Sequence, residues 1–220
     1  MMTLRVVIGY SDAMSRWPSG ARERLERAAM ELFVEQGFAD TTVPQITARA
    51  GLTTRTFFRH FADKREVLFA YQAELPALVA RLLADIPASR NPMEVIAEAL
   101  PMAATRIEDN LDYLRTRRTV VEADEGLRER ELRKESILSD AIRLAFVNRG
   151  VDELTSTLAA HTAVTIFTVA LSRWLDQEGE RSLSVFVHDT LTALKSLASE
   201  PAAKPHESSS GERVSAGTSS

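Results

Sequence analysis

Within the eight positions from Thr53 to His60 the chain places Thr53, Thr54, Arg55, Thr56, Arg59 and His60 around Phe57 and Phe58. Hydroxyl, guanidinium and imidazole groups at this density donate hydrogen bonds to phosphate oxygens and base edges. The fork of Arg55 matches the O6 and N7 acceptors of guanine and matches a phosphate equally well, so both roles stay open. From Thr41 to Arg65 the basic residues Arg49, Arg55, Arg59, Lys64 and Arg65 face one acid, Asp63, in a chain whose net charge is -4. A small positive patch on an acidic chain points to site-specific contact with duplex DNA rather than general coating of a polyanion. Covalent chemistry has no such concentration. His60, His161, His188 and His206 are scattered, and there is no Cys, HExxH, Glu-x-x-His, GxSxG or glycine-rich phosphate loop. No catalytic residue, metal ligand or cofactor is expected, and the chain reads as a non-enzyme.

The elements that would position this cluster are legible from their caps. Thr42, Val43, Pro44 and Gln45 spell a Thr-x-x-Gln capping box with Pro in the first turn, where a missing N–H costs nothing. Gly51 ends that helix by supplying a positive φ, and Thr53 caps the next, on which Phe57, Phe58 and Phe61 are expected to point largely one way. The N-terminal end of that second helix, with its unsatisfied N–H groups, suits phosphate as well as bases. Before the pair, Leu25, Ala28, Ala29, Leu32 and Phe33 keep helical spacing up to Gly37. After it, Asp63 and Glu66 spell another box.

Across residues 22–68 the residue types and spacings resemble the TetR family of transcriptional regulators: Ala28-Ala29, Leu32-Phe33, Gly37-Phe38, Thr41-Thr42-Val43, Ile46, Ala50-Gly51-Leu52, Thr56-Phe57-Phe58, His60-Phe61, Lys64 and Glu66-Val67-Leu68. The resemblance implies an all-α chain of about nine helices, with a three-helix helix-turn-helix head and a helical ligand-binding and dimerisation domain. It also implies DNA contacts from Thr42, Thr53, Thr54, Arg55, Thr56, Phe58, Arg59, His60 and Lys64. The family usually carries Tyr where this chain has Phe58, so the packing is kept and a phosphate-reaching hydroxyl is lost. Thr47 stands where Ala is usual, and Arg55 where many members have Gly.

Residues 1–18 have no clear period and read as a flexible arm, with Met14 a candidate initiator and Arg16 and Arg22 as surface charges or groove contacts. Residues 19–65 form the head, 66–200 the regulatory and dimerisation domain, and 201–220, rich in Ser, Pro, Gly and Ala, a disordered tail. From Val67 to Ile86 one helical phase persists through Pro76, which predicts a kinked but continuous connector helix. In the family this helix moves when a ligand enters. Asn91 to Glu94 cap a fifth helix that crosses Pro101. A sixth, Asp112 to Ala123, carries Arg115, Arg117 and Arg118, and a seventh ends at Gly150.

The eighth helix, Asp152 to about Gln177, is apolar on nearly every face, which implies burial on all sides and therefore a partner. By resemblance it pairs with the ninth as a four-helix bundle in a homodimer, with Phe167, Leu171, Trp174, Phe186, Leu191 and Leu194 at the interface. Its polar stripe, His161, Thr165, Thr168 and Ser172, lines a pocket, bonds within the seam, or bonds back to its own helix. Candidate ligand residues are Arg117, His161, Thr165 and Thr168. No run of about 18 apolar residues and no leader pattern is apparent, so a soluble cytoplasmic protein is expected. The expected partners are a palindromic double-stranded operator, a second copy of the chain and an unidentified small-molecule effector, with no membrane. The alternative is a helical protein-binding adaptor that has lost DNA binding.

Overall fold

Side-chain caps set the starts of five of the ten described α-helices. In the structure, a computed structural model that describes residues 20–70, 74–177 and 181–199, Thr42 accepts from the Gln45 N–H while the Gln45 side chain returns to the Thr42 N–H at 2.8 Å. Asn91 and Glu94 repeat the reciprocal box, and Thr53, Asp124 and Asp152 each accept from the backbone three residues on. Each cap satisfies an N–H that the helix itself leaves without a partner. The resulting helices are α1 (Ala21–Gln36), α2 (Val43–Ala50), α3 (Thr54–His60), α4 (Glu66–Phe69), α5 (Leu75–Ala84), α6 (Pro92–Thr105), α7 (Leu111–Glu122), α8 (Glu125–Asn148), α9 (Glu153–Asp176) and α10 (Leu183–Ser199). A 3-10 turn, Glu108–Asn110, precedes α7. No strand occurs among the described residues, and the expected all-α class holds.

Two expectations about the connector change. Among the described residues it shows two helices, α4 and α5, with 3-10 geometry at Ala70 and Glu74 and residues 71–73 between them outside the description, so the described residues hold ten α-helices where about nine were expected. Pro76 lies in the first turn of α5 instead of bending a longer helix, the position where its absent N–H and fixed φ are harmless. The box at Asp63 is half made. Its carboxylate accepts from the Arg65 and Glu66 N–H groups at 2.8 and 3.1 Å, but the Glu66 side chain turns away to pair with Arg130 of α8.

Buried side chains form two clusters. One joins α1 to α3 through Leu25, Phe33, Ile46, Phe57 and Phe61, and it extends to Val67, Leu68 and Phe69 of α4, Val120 and Val121 of α7 and Leu127 of α8. The other is built by α5, α6, α8, α9 and α10 around Val95, Phe146, Ile166, Trp174 and Val187. The head therefore rests on α7 and α8 through apolar contact as well as through the chain.

Arginines tie helix ends across the fold. Arg149 donates to the carbonyls of Leu83, Ile86 and Pro87 after α5, and Arg115 to those of Leu175 and Gln177 after α9. The Leu83 and Pro87 carbonyls also accept from the Ile86 and Arg90 N–H groups, so Arg149 adds a second donor to the turn that follows α5.

Averaged over 18 residues, α9 is apolar and long enough to cross a membrane, a property missed when apolar residues are counted as an unbroken run. Its apolar surface has other uses. One face enters the second cluster, another lines a cavity, and a third carries Leu154, Leu158 and Val169, which are 70%, 60% and 44% exposed. Within one chain α9 is thus not buried on all sides, and the reading of its composition left that remaining face to a partner.

The N-terminal arm with Arg16 and the tail 201–220 lie outside the described residues. Arg22 is described. It pairs with Glu26 at 2.9 Å on α1 and lies 5.8 Å from the Phe61 ring centroid.

Candidate nucleic-acid interface and apolar cavity

The turn between α2 and α3 is set by Gly51, in the left-handed region at φ 63°. A Cβ there would stand 2.9 Å from Arg24 Nη2, because Arg24 reaches from α1 to donate to the carbonyls of Ala50 and Gly51. Position 51 thus favours Gly for its conformation, and a Cβ there would also push the Arg24 guanidinium from its place. Thr53 Oγ1 then accepts from the Thr56 N–H at 3.2 Å and lies 3.0 Å from Thr56 Oγ1, which leaves Thr56 half-buried.

On α3 the 100° step per residue puts Phe57 and Phe61, four apart, on one side, where both are buried. Phe58 does not join them. It is 59% exposed and meets Phe57 edge-on at a centroid distance of 5.5 Å, so the expectation that all three rings point one way is corrected. The outward face of α3 carries Thr54, Arg55, Phe58, Arg59 and His60, all exposed, and the exposed caps Thr42 and Thr53 flank it. Among the described residues no ion pair involves Arg55 or Arg59.

The other basic residues of this stretch are spent inside the protein. Lys64 Nζ donates to the carbonyls of Phe38, Ala39 and Thr41 at 2.6, 3.0 and 2.8 Å and lies 4.3 Å from the Phe38 ring centroid. An ammonium has three donors, and Lys64, expected at a phosphate, here gives them to the loop between α1 and α2. Burial also pulls its pKa below the ordinary lysine value. Arg49 is bonded to Glu35 and Glu31 of α1, and Arg65 to Asp63. Thr47 is buried, with its hydroxyl on the Pro44 carbonyl at 3.0 Å, which explains how it replaces a smaller residue without an orphan polar group.

Below the head lies an apolar cavity of about 660 Å³ between α5, α6, α7, α8 and α9, lined by residues including Val79, Ile96, Leu100, Phe146, Phe167 and Leu171. That volume is in the range that accepts a drug-sized molecule, about 300–1,000 Å³. Its charged end has Arg117, Glu131, Lys134, Glu135 and Glu26 on the wall. Burial raises the Glu135 and Glu26 carboxyls. Burial pushes Glu131 the same way, but Arg117 and Lys134 outweigh it and hold its carboxyl below the ordinary value.

Of the four candidate ligand residues, the structure brings Arg117 and Thr168 to this cavity and leaves His161 and Thr165 off it. Thr168 bonds back to the Val164 carbonyl. His161 and Thr165 are exposed, and the His161 Nδ1 lies 3.5 Å from Ser139 Oγ. Arg118 is held by Asp176 at 2.7 Å.

The six residues expected at a dimer seam are used within one chain. Trp174, Phe186 and Leu191 are buried in the second cluster, Phe167 and Leu171 pack on it and line the cavity, and Leu194 packs against it. Sequence reading missed Arg24 and Arg130 as structural clamps. Neither has a local signature, because their partners lie 26 and 64 residues away.

Residues 26–71 match the family model described as bacterial regulatory proteins, tetR family. The transcriptional regulator TcmR of Streptomyces glaucescens is 38% identical over 88 residues, covering 40% of this chain and 39% of that protein. The chain thus spans well under half the length of that relative. Similarity to the transcriptional repressor BepR of Brucella suis runs further, 25% identity over 184 residues, covering 76% of this chain and 85% of that protein. NalD of Pseudomonas aeruginosa, a secondary repressor of a multidrug efflux pump, shares the fold with a TM-score of 0.57 at 18% identity, covering 80% of this chain and 95% of that one. The capped α2–turn–α3 unit and its arginine-bearing outer face thus lie within the segment that matches the tetR family model, and it is in this head that the chain is similar to the tetR family of bacterial regulatory proteins.

Proposed function

We propose that this chain is a sequence-specific transcriptional regulator, a homodimeric repressor released from a palindromic operator when a small apolar effector fills the cavity. The observation that carries the DNA-binding half is the outer face of α3. Arg55 stands exposed in the first turn of the capped α3 and Arg59 and His60 stand exposed in its last turn, while among the described residues Arg49, Lys64 and Arg65 are each bonded to a carbonyl or carboxylate. A protein that had lost DNA binding would have no reason to keep these donors clear. The adaptor reading is therefore second. In the proposed arrangement residues 19–65 are the reading head and 66–200 the regulatory and pairing domain, and the protein acts in the cytoplasm where its operator lies.

Pairing is assigned to the exposed stripe of α9, Leu154, Leu158, His161, Thr165 and Val169, because it sets three exposed apolar side chains on one helix with polar groups between them that a second copy could bond. A dimer that reads a palindromic operator needs its two α3 helices in successive major grooves, about 34 Å apart, and this pairing is proposed to supply that spacing.

The test is a mobility-shift titration with the protein's own upstream intergenic DNA. A shift that weakens steeply with salt, and that Arg55→Ala with Arg59→Ala abolishes, supports the proposal. An unchanged affinity and salt dependence in that double variant means α3 is not the reading helix. No shift at low salt favours the adaptor.

A further inference from the structure

Arg117 of α7 has only 8% of its side chain exposed. Its Nε donates to the Leu68 carbonyl at 3.1 Å, its Nη2 donates to Glu131 Oε2 at 2.6 Å, and its guanidinium lies 4.9 Å from the Phe69 ring centroid. Leu68 and Phe69 close α4, the short helix that follows the head. Arg117 thus brings the Leu68 carbonyl a donor from another helix. Arg130 of α8 works on the same element, pairing with Glu66 and standing 5.3 Å from the Phe69 centroid. Val67, Leu68 and Phe69 are themselves part of the head's buried cluster. Whatever moves α4 therefore moves the platform under α1 and α3.

The same guanidinium is a wall of the cavity, together with Glu131, Lys134 and Val67. Glu131 is shared between Arg117 and Lys134, so the group that orients Arg117 also faces an occupant. We propose that Arg117 is the positioning residue through which occupation of the cavity reaches the head: an occupant that draws Arg117 or Glu131 toward itself withdraws the clip from Leu68 and Phe69 and loosens α4. This rests on the regulatory reading above and adds the residue that carries it. A ligand shifts an equilibrium only by its difference in affinity for two states, and Arg117 is a side chain that touches the cavity and the junction together. Arg115, on the same helix, supplies the contrast. It also holds helix-end carbonyls, but at α9, and it is not on the cavity wall.

The test measures coupling rather than stability, with 1-anilinonaphthalene-8-sulfonate as the cavity probe and its fluorescence as the readout. Its dissociation constant is measured with and without saturating upstream operator DNA, because linkage makes the ratio of the two equal to the effect of the probe on operator binding. In the wild type the operator is expected to weaken the probe by at least about 5-fold. Arg117→Met is expected to bind probe and operator with a ratio within about 2-fold of one. Arg117→Lys keeps the buried charge but lacks the fork that reaches Leu68 and Glu131 together, and its ratio should fall between. Arg115→Met should keep the wild-type ratio. A wild-type ratio in both Arg117 variants, or an equal loss in Arg115→Met, overturns the inference while leaving the proposed function standing. A ratio of one in the wild type, with operator bound, overturns the effector reading and this inference together.

Discussion

Replacing Lys64 by Met separates two roles that the sequence alone could not distinguish. If the ammonium holds the loop after α1, the variant loses three charge-assisted hydrogen bonds and a ring contact at 4.3 Å. Hydrogen bonds to charged groups contribute about 1.5–3 kcal/mol each when buried. Here the Ala39 bond is exposed and the other two are partly buried, so water replaces much of the loss. A total near 2–3 kcal/mol follows, a Tm drop of about 4–12 °C for a chain of this size.

If instead Lys64 were a phosphate ligand, stability would barely change, and the slope of log K against log salt would fall by about 0.9 per head. Urea unfolding and operator titrations at several salt concentrations, both well below the Tm, read the two effects independently. Arg59→Ala is the internal standard: its side chain is exposed, so stability should stay within about 0.5 kcal/mol. A Lys64→Met protein with wild-type stability and a reduced salt slope would refute the clamp assignment.

Gly51→Ala forces a β-carbon onto φ 63° and against Arg24 Nη2 at 2.9 Å, so calorimetry should show a loss of about 1–2 kcal/mol, with wild-type stability arguing against the turn geometry. Glu131→Gln is expected to cost about 1–3 kcal/mol at neutral pH. The native carboxyl titrates below its ordinary 4.5, so the stability it contributes is complete above that value and is lost as pH falls through the lowered native one. Denaturation curves should therefore converge with wild type below pH 4.5, and a constant gap down to low pH would exclude the pairing with Arg117 and Lys134. Leu158→Glu changes a side chain that is 60% exposed in one chain, so the fold should survive while sedimentation shows monomers; an intact dimer would move the seam elsewhere.

What the sequence determined by itself is local. The boxes Thr42–Gln45 and Asn91–Glu94, the Gly51 turn and the starts at Thr53 and Asp152 need only partners within a few residues, and all were legible. Periodicity likewise located the helices. It could not divide the apolar faces of α9 among core, cavity and solvent, because nearly every face is apolar and only the neighbouring helices choose between them. Nor could it say which cations are spent. Lys64, Arg49 and Arg117 look as available as Arg59 in one dimension, yet their partners are brought to them from 14 to 49 residues away by packing. Charge availability is a property of three-dimensional neighbours, and tertiary structure alone leaves Arg55 and Arg59 clear of ion pairs while committing Lys64, Arg49 and Arg117.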